Sequence, residues 1–243
     1  MEWFKDWFNS KYYHILYNHR NDEEAQEFLD NLMNYLNPKL NSFMLDLACG
    51  KGRHSKYLNT KGFDVTGVDL ASNSITEAKK SESETLHFFE HDMRQVLRVN
   101  YFDYVFSFFT SMGYFDNLND DVKQFNAMCV ALKNEGSLII DFLNTEKSKS
   151  KLVKNRTIEK EGIKFNIESF FENGYFNKIT EIVDGNKTYK SHEKVRGFLL
   201  NDFEKLLHQQ GMVIKNIFGD YSLNQFDIKN SDRLIIHAQK KSE

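Results

Sequence analysis

Three aspartates recur at a constant interval in the first half of this 243-residue chain. Asp46, Asp69 and Asp92 lie 23 residues apart, a spacing typical of repeated units made of a strand, a loop and a helix. Asp46 and Asp69 end short apolar runs, and Asp92 follows a third run. Because strands joined by helical crossovers lie parallel in one sheet, the interval predicts three carboxylates at one rim of a parallel sheet.

Apolar runs continue to alternate with helical stretches as far as residue 142. The runs are short and apolar throughout, as expected for parallel strands whose two faces are both covered by helices. An amphipathic helix over Asp22–Leu36 precedes them. The predicted strands are Phe43–Ala48, Asp64–Leu70, Leu86–Glu90, Tyr101–Phe109 and Ser137–Phe142, with helices at Arg53–Thr60, from residue 71 through Lys80, and at Asn119–Lys133.

The pattern changes between residues 156 and 197, where apolar and polar residues alternate and turn signals occur at 172–174 and 184–186. This is typical of antiparallel hairpins. A helix over Asn201–Gln210 and two further strands end the chain. The predicted fold is therefore α/β and Rossmann-like, with a mostly parallel seven-stranded sheet, helices on both faces and an antiparallel β insertion after strand five. The predicted parts are an N-terminal helical or lid segment (1–38), a core (39–145 and 198–243) and the insertion (146–197).

The turn after the first predicted strand consists largely of small residues. In open α/β sheets, ligands bind beyond the carboxyl ends of the strands, and small residues let a ligand approach the backbone closely. A nicotinamide-binding turn needs a third glycine where Ser55 stands. No phosphate-binding loop of the G-x-x-x-x-G-K-[ST] type occurs in the sequence either. The turn therefore favours a ligand other than a dinucleotide or a nucleoside triphosphate.

The three aspartates indicate what that ligand carries. A carboxylate after the second strand can accept both hydrogens of a ribose diol. Asp92 is suited to an adenine amino group, and Asp46 to an ammonium group. An aminoacyl nucleoside that is positively charged and lacks phosphate would satisfy all three. The alternative is that Asp69 and Asp92 are only strand-end solubilising residues and helix caps.

Four segments at this rim resemble the motifs of class I S-adenosylmethionine (SAM)-dependent methyltransferases. In the order of motifs I to IV they are DLACGKG at 46–52, VTGVDL at 65–70, HDMR at 91–94 and FDYVFS at 102–107. Residues 198–240 resemble the C-terminal part of members that act on small molecules. The resemblance implies SAM as the cofactor and methyl transfer by direct in-line displacement. Ala48 departs from the pattern, since the family often has glycine there.

The resemblance also implies a role for each matching residue. Asp69 binds the ribose hydroxyls, and Asp92 lies near the adenine amino group. Leu70 and Met93 enclose the adenine, and Phe108 lies close to the methionine amine. The residues implied to border the methionine and the sugar are Asp46, Ala48, Gly50 and Gly52.

An aromatic segment precedes the predicted core and has two interpretations. Either its rings pack a helix onto the sheet, or the segment forms a lid over the ligand. Tyr13, Tyr17 and Arg20 lie one helical turn apart, so the rings could contact a sulfonium and the guanidinium could pair with a carboxylate. His14 is a candidate general base. Tyr114, expected on the loop after the fourth strand, either positions an acceptor or closes the core.

Composition bears mainly on partners. The net charge of −3 gives no general attraction to nucleic acid, although seven basic residues face three acidic ones between 146 and 164. No signal peptide or long apolar run is evident, so a cytoplasmic protein without membrane association is expected. Cys49 and Cys129 fit no disulfide or metal-site spacing, and no metal is predicted.

The sequence leaves the acceptor and the oligomeric state open. The N/D-P-P-Y motif of amino-directed nucleic-acid methyltransferases is absent after the fourth strand, which favours a small-molecule acceptor and disfavours nucleic acid. Methylation of RNA or protein through the basic stretch stays an alternative. A SAM-binding protein without catalysis, acting as a sensor or partner subunit, is another, because methyl transfer needs little beyond alignment of the reacting atoms.

Overall fold

The structure is a computed structural model that describes residues 2–17 and 22–242. The helices in those ranges are α1 (Trp3–Phe8), α2 (Lys11–Leu16), α3 (Asp22–Leu36), α4 (Arg53–Thr60), α5 (Ser72–Ala78), α6 (Leu118–Ala131), α7 (Thr145–Ser150) and α8 (Leu200–Gln209). The strands are β1 (Phe43–Leu47), β2 (Asp64–Asp69), β3 (Leu86–Glu90), β4 (Phe102–Ser107), β5 (Leu132–Leu143), β6 (Asn155–Lys160), β7 (Ile163–Glu172), β8 (Tyr175–Asp184), β9 (Lys187–Arg196), β10 (Met212–Phe218) and β11 (Arg233–Lys240).

The larger sheet of the described chain has seven strands in the order β10-β11-β5-β4-β1-β2-β3. Its first five strands in sequence pair in parallel, while β11 runs antiparallel to β5 and β10 antiparallel to β11. The order reverses direction between β1 and β4, which places the carboxyl ends of these strands at the point where open α/β sheets bind ligands. The predicted Rossmann-like α/β fold is confirmed.

Alternate residues of the central strands supply two hydrophobic layers. In β1, Leu45 and Leu47 belong to the layer under α6 and α8, whereas Met44 belongs to the layer under α3, α4 and α5. This alternation follows from the pleat of a strand, which directs successive side chains to opposite faces. Since both faces are covered, the rim at the strand ends is where the sheet offers polar groups to a ligand.

The insertion forms a separate four-stranded antiparallel sheet, β6-β7-β8-β9. One of its faces packs against α1 and α2 through a third hydrophobic cluster. The buried members of that cluster are Trp7 and Leu16 from the helices and Ile163, Phe165, Ile167 and Ile182 from the sheet. Ser10 begins α2 by accepting a hydrogen bond from the Tyr12 amide. The division into three parts at residues 38, 145 and 198 stays a prediction.

Most predicted boundaries differ from the observed ones by one or two residues, and two differences are larger. β5 begins at Leu132, five residues before the predicted Ser137, because the strand continues through an irregular register next to β4. The short helix α7 was not predicted, since its six residues are too few to show a helical apolar repeat.

Candidate functional site

A cavity of about 460 Å³ opens at the carboxyl ends of β1, β2 and β4. Its wall has three sources: the turn after β1, the segments after β2 and β3, and an aromatic side. The aromatic side is supplied by α1, α2 and the segment after β4. The cavity therefore lies where the sequence predicted a ligand site, and the N-terminal segment contributes to it.

The turn after β1 brings its backbone to the cavity by adopting left-handed geometry. Ala48, Gly50 and Gly52 all have positive φ angles, of 58°, 57° and 77°. Ala48 and Gly50 lie on the wall. A Cβ added to Gly50 would meet nothing within 4 Å, whereas one added to Gly52 would lie 2.5 Å from the Phe88 ring. The missing side chain therefore has a different effect at each position. At Gly50 it leaves the adjoining space in the cavity free for a ligand, and at Gly52 it leaves room for the Phe88 ring.

Asp69, at the end of β2, is oriented by two backbone amides. Its Oδ2 accepts a hydrogen bond from Gly50 N and its Oδ1 one from Ala71 N, both at 2.8 Å. Burial raises the pKa of Asp69, and the hydrogen bonds from Ala71 and Gly50 oppose that rise. Each carboxylate oxygen has a further lone pair, so the group can still accept hydrogens from a diol in the cavity.

Asp92, after β3, is held by Arg94. The Arg94 Nε lies 3.0 and 3.1 Å from the two Asp92 oxygens, and its Nη2 lies 2.5 Å from Oδ2. Burial alone would raise the pKa of Asp92, but the hydrogen bonds and charge of Arg94 outweigh it and lower the pKa. The carboxylate is therefore kept ionised as an acceptor on the wall.

Asp46 lies behind the wall. Its side chain is buried, and its Oδ2 accepts a hydrogen bond of 2.6 Å from Ser55 Oγ. Burial raises the pKa of Asp46 to about 7, although the Ser55 bond acts in the opposite direction. Asp46 and Gly52, which the sequence placed at the border of the ligand, are not among the residues that line the cavity. Asp46 is buried, and Gly52, at the end of the turn, packs against Phe88. Their contact with a ligand stays a prediction.

The aromatic side of the cavity is a connected group of rings. Tyr114 lies 5.6 Å from Trp3 and 5.3 Å from Phe8, measured between ring centroids. Tyr13 lies 5.0 Å from Phe8 and 4.9 Å from Tyr17. Such edge-on and tilted pairs are favourable for aromatic rings. Tyr114, expected either to position an acceptor or to close the core, has its ring on the wall while its hydroxyl donates to the Thr110 carbonyl at 2.7 Å.

The segment after β4 follows a strained path that a buried ion pair maintains. Phe109 and Thr110 have positive φ angles of 55° and 63°. The Phe109 amide donates to Asp141 Oδ2 at 2.8 Å, and Arg233 donates to Asp141 Oδ1 at 2.7 Å and to Thr110 Oγ1 at 3.1 Å. Sequence reasoning missed Asp141 and Arg233, because nothing in the local pattern links residues 92 positions apart.

The first turn of α4 also faces the cavity and was missed. Arg53 and His54 line it, and the His54 ring stacks on Phe109 with centroids 5.1 Å apart. Arg53 Nη1 lies 3.3 Å from Asp22 Oδ1 at the start of α3. The sequence did offer a signal for Arg53 and His54. Both directly follow Gly52, and the start of the helix that they begin points at the same rim of the sheet.

Most of the predicted site residues come together in this cavity. Those on its wall are Ala48, Gly50, Asp69, Leu70, Asp92, Met93 and Phe108, together with Tyr13, His14, Tyr17 and Tyr114. Arg20 lies outside the described residues. Within residues 2–17 and 22–242, no group of three or more His, Cys, Asp or Glu side chains is placed to hold a metal ion. No helix in these ranges is long and apolar enough to cross a membrane.

Comparison with known proteins gives one family. Residues 44–136 match the family model described as a methyltransferase domain. The chain is 30% identical over 209 residues to YqeM of Bacillus subtilis, a protein assigned to the methyltransferases; the match covers 81% of this chain and 83% of YqeM.

Solved structures of low sequence identity share the fold over nearly the whole chain. A SAM-dependent methyltransferase from Clostridium acetobutylicum superposes with a TM-score of 0.79 at 21% identity, covering 95% of this chain and 96% of its own. The sugar N-methyltransferase KedS8 from a Streptoalloteichus species gives a TM-score of 0.71 at 20% identity, covering 95% and 93%.

Proposed function

This chain belongs to the SAM-dependent methyltransferases, and we propose that it methylates a nitrogen atom of a small-molecule amine bound on the aromatic side of the cavity. The predicted cofactor and enzyme class are confirmed by the family. The nature of the acceptor rests on one observation, the contrast between a carboxylate side and an aromatic side within one cavity.

The carboxylate side suits the nucleoside part of SAM. Asp69 would accept from the ribose hydroxyls and Asp92 from the adenine amino group, with Leu70 and Met93 beside the base. Gly50 would let the cofactor lie against backbone, because a side chain there would project into open space. Two cationic side chains, Lys51 and Arg53, line the wall, and of these Arg53 offers the bidentate geometry that suits the cofactor carboxylate.

The aromatic side suits a reaction in which a positive charge passes from one group to another within the cavity. When bound, SAM supplies a methyl group on a positively charged sulfur. Transfer of that methyl group to a neutral amine would break the carbon–sulfur bond and move the positive charge from sulfur to nitrogen, and the ammonium so formed would then lose its proton. Phe8, Tyr13 and Tyr114 line the cavity, and their rings would attract the cation before and during the transfer.

An anionic acceptor would gain little on this side of the cavity. Among the described wall residues contributed by α1, α2 and residues 111–115, none is lysine or arginine. A phenolate, carboxylate or phosphate would therefore face mainly rings beside α1 and α2, because the cations of the wall, Lys51 and Arg53, belong to the turn after β1 and to α4. The sugar N-methyltransferase KedS8 has the same fold, which agrees with a nitrogen acceptor. His14, on the same wall, is proposed to receive the proton.

The basic stretch does not favour RNA as the acceptor. Lys147 pairs with Asp232 at 2.6 Å and Lys149 with Glu146 at 3.1 Å, while Lys151 lies 3.7 Å from Asp232. These cations are already partly neutralised by the chain itself, which weakens any attraction to phosphates.

The test is methyl transfer from isotopically labelled SAM to panels of small amines, amino sugars, phenols, carboxylic acids, RNA and protein. We expect transfer to amines only.

Tyr114→Leu, which removes the ring, should lower kcat/KM for the best amine by about tenfold or more, since a desolvated cation–π contact is worth about 2 kcal/mol. Tyr114→Phe, the matched control, keeps the ring and should change it less. Methylation confined to oxygen acceptors, RNA or protein would contradict the proposal.

A further inference from the structure

Helix α1 is tied at both ends to the segments that carry the two wall carboxylates. After its last turn, Asn9 Oδ1 accepts a hydrogen bond from the Asn73 amide at 2.9 Å, and the Asn9 carbonyl accepts one from Asn73 Nδ2 at 3.2 Å. Asn73 lies in the first turn of α5, four residues after Asp69. This end of α1 is therefore anchored beside the ribose carboxylate.

The other end is anchored beside Asp92. Glu2 precedes α1, and its two carboxylate oxygens accept from Arg94 Nη1 at 2.5 Å and Nη2 at 3.2 Å. The same guanidinium holds Asp92, and these carboxylates raise the pKa of Arg94 further above its ordinary value. One planar cation thus joins the adenine side of the cavity to the start of α1, a bidentate geometry that lysine could not reproduce.

Between its two anchors, α1 forms part of the cavity wall. Phe4 and Phe8 line the cavity. The Phe4 ring packs edge-on against Phe115 with centroids 5.6 Å apart, and the Arg94 guanidinium lies 4.9 Å from the centroid of the same Phe115 ring. A six-residue helix is too short to be stable by itself, so its position depends on these contacts and on the packing of Trp7.

We propose that α1 is a strap across the nucleoside end of the cavity, and that its two polar anchors, Glu2–Arg94 and Asn9–Asn73, set the rate at which the nucleoside enters and leaves. Exchange requires one anchor to open. Because Arg94 holds Glu2 and Asp92 together, a nucleoside that fixes Asp92 also favours the closed anchor, and by linkage the closed anchor strengthens nucleoside binding equally. The inference rests on the cofactor site and is independent of the acceptor.

The chain carries its own probe of this strap. Its two tryptophans, Trp3 and Trp7, both lie on α1. Tryptophan fluorescence, excited separately from that of the 11 tyrosines, therefore reports on the surroundings of α1, and its change on mixing with S-adenosylhomocysteine follows binding at this helix. Stopped-flow dilution of the preformed complex then gives the dissociation rate of this product nucleoside.

Glu2→Gln and Asn9→Ala each open one anchor. Each should accelerate dissociation of S-adenosylhomocysteine about threefold to tenfold, the range for losing one or two hydrogen bonds, and the double variant should combine the two effects. Asp6→Asn is the matched control, because it removes one exposed carboxylate from the same helix and should leave the rate unchanged. Arg94→Lys should accelerate dissociation and weaken equilibrium binding more than Glu2→Gln does, since it disturbs Asp92 as well.

Melting curves without nucleoside separate this role from a structural one. If the anchors only stabilised the fold, the variants would melt earlier and release the nucleoside at the wild-type rate, and that result would overturn the proposal. Equal acceleration by Asp6→Asn would overturn it too. Failure of the wild-type protein to bind S-adenosylhomocysteine would instead remove the cofactor site on which the strap depends.

Discussion

At the scale of single residues, the two glycines of the first turn have the same conformational need but different surroundings. Both have positive φ angles, so any other residue at either position adopts a left-handed backbone at a cost of about 1–2 kcal/mol. Gly50 has open space beside it, and Gly52 has the ring of Phe88. The same substitution should therefore affect ligand binding at one position and folding at the other.

Gly50→Ala should bind SAM at least tenfold more weakly while losing only about 1–2 kcal/mol of stability. Gly52→Ala should lose about 1–3 kcal/mol more, because the new methyl group overpacks against Phe88. Titration calorimetry and urea unfolding of both variants check this. Adding Phe88→Leu should recover part of the stability of Gly52→Ala and none of the binding lost in Gly50→Ala. Equal effects of the two substitutions on both measurements would disprove the distinction.

Asp46 has an environment that makes stability depend on pH. Burial raises its pKa in the folded protein to about 7, whereas in an unfolded chain an aspartate has a pKa of about 3.9. The folded state therefore holds a proton that the unfolded state has released between these two values. The stability contributed by Asp46 is fully present below the unfolded pKa and is lost as the pH rises through the folded pKa.

Asp46→Asn removes this titration and keeps an oxygen that can accept from Ser55 Oγ. Relative to the variant, the wild-type free energy of unfolding should fall by up to about 1.4 kcal/mol per pH unit between pH 5 and 7 and then level off. Urea unfolding at pH 5, 6, 7 and 8 measures the difference. Asp6→Asn, on an exposed site, should show no such slope. A constant gap between wild type and Asp46→Asn would show that Asp46 does not titrate in this window.

The residues that sequence could predict are those whose position in the chain fixes their place at the rim. Asp69 and Asp92 follow strands, and parallel strands end together, so their spacing was sufficient to bring them to one cavity. Arg94 was visible only as part of a motif. Its bond to Glu2 joins positions 92 residues apart, and a contact of that kind depends on where α1 packs, which no local pattern determines.

At the scale of elements, apolar periodicity predicted the strands that are buried on both faces and the hairpins of the insertion. It did not predict which element the aromatic segment packs against. The alternatives were a helix on the sheet or a lid. In the structure α1 and α2 pack on the insertion sheet and also line the cavity, and their role as a lid stays a prediction. Rings such as Trp7 and Tyr13 fit either role by composition alone, so only tertiary contacts could decide.

Phe165 tests whether the insertion positions these helices. Its buried ring lies in the cluster with Trp7 and Leu16, and Phe165→Ala should cost about 3–5 kcal/mol locally. We expect faster amide exchange in α1, α2 and β6–β9 and unchanged protection of β1, β4 and β5. Phe203→Ala is the control, because it removes a ring that packs against Phe142 in β5 and should destabilise the large sheet. If Phe165→Ala unfolded both sheets together, the insertion would not be an independent support.

At the scale of the whole molecule, the large sheet with its helices can be treated as one body and α1, α2 and the insertion sheet as a second, a division that stays a prediction. The clusters on the two faces of the large sheet share no buried residue with the cluster of α1, α2 and the insertion. The described polar contacts between the bodies include Arg196 with Asp121 at 3.2 Å and Lys194 with Asp116 at 2.6 Å. Burial raises the pKa of Asp121 to about 7 although Arg196 opposes the rise, so this link is strongest above neutral pH.

This arrangement predicts how the protein melts. Without nucleoside, calorimetry should resolve two transitions, the smaller body unfolding first because its hydrophobic core is smaller. A nucleoside that touches Asp69 on one body and Phe8 on the other stabilises only the state in which both are folded, by about 2.7 kcal/mol at one hundred times its Kd. Saturating S-adenosylhomocysteine should therefore raise the temperature of the first transition more than that of the second and bring the two together.

In Asp69→Asn, which removes the charged ribose acceptor, the two transitions should stay apart at the same concentration. A single transition in the absence of nucleoside, or two whose separation does not change on saturation of the wild type, would show that the cavity does not join two bodies.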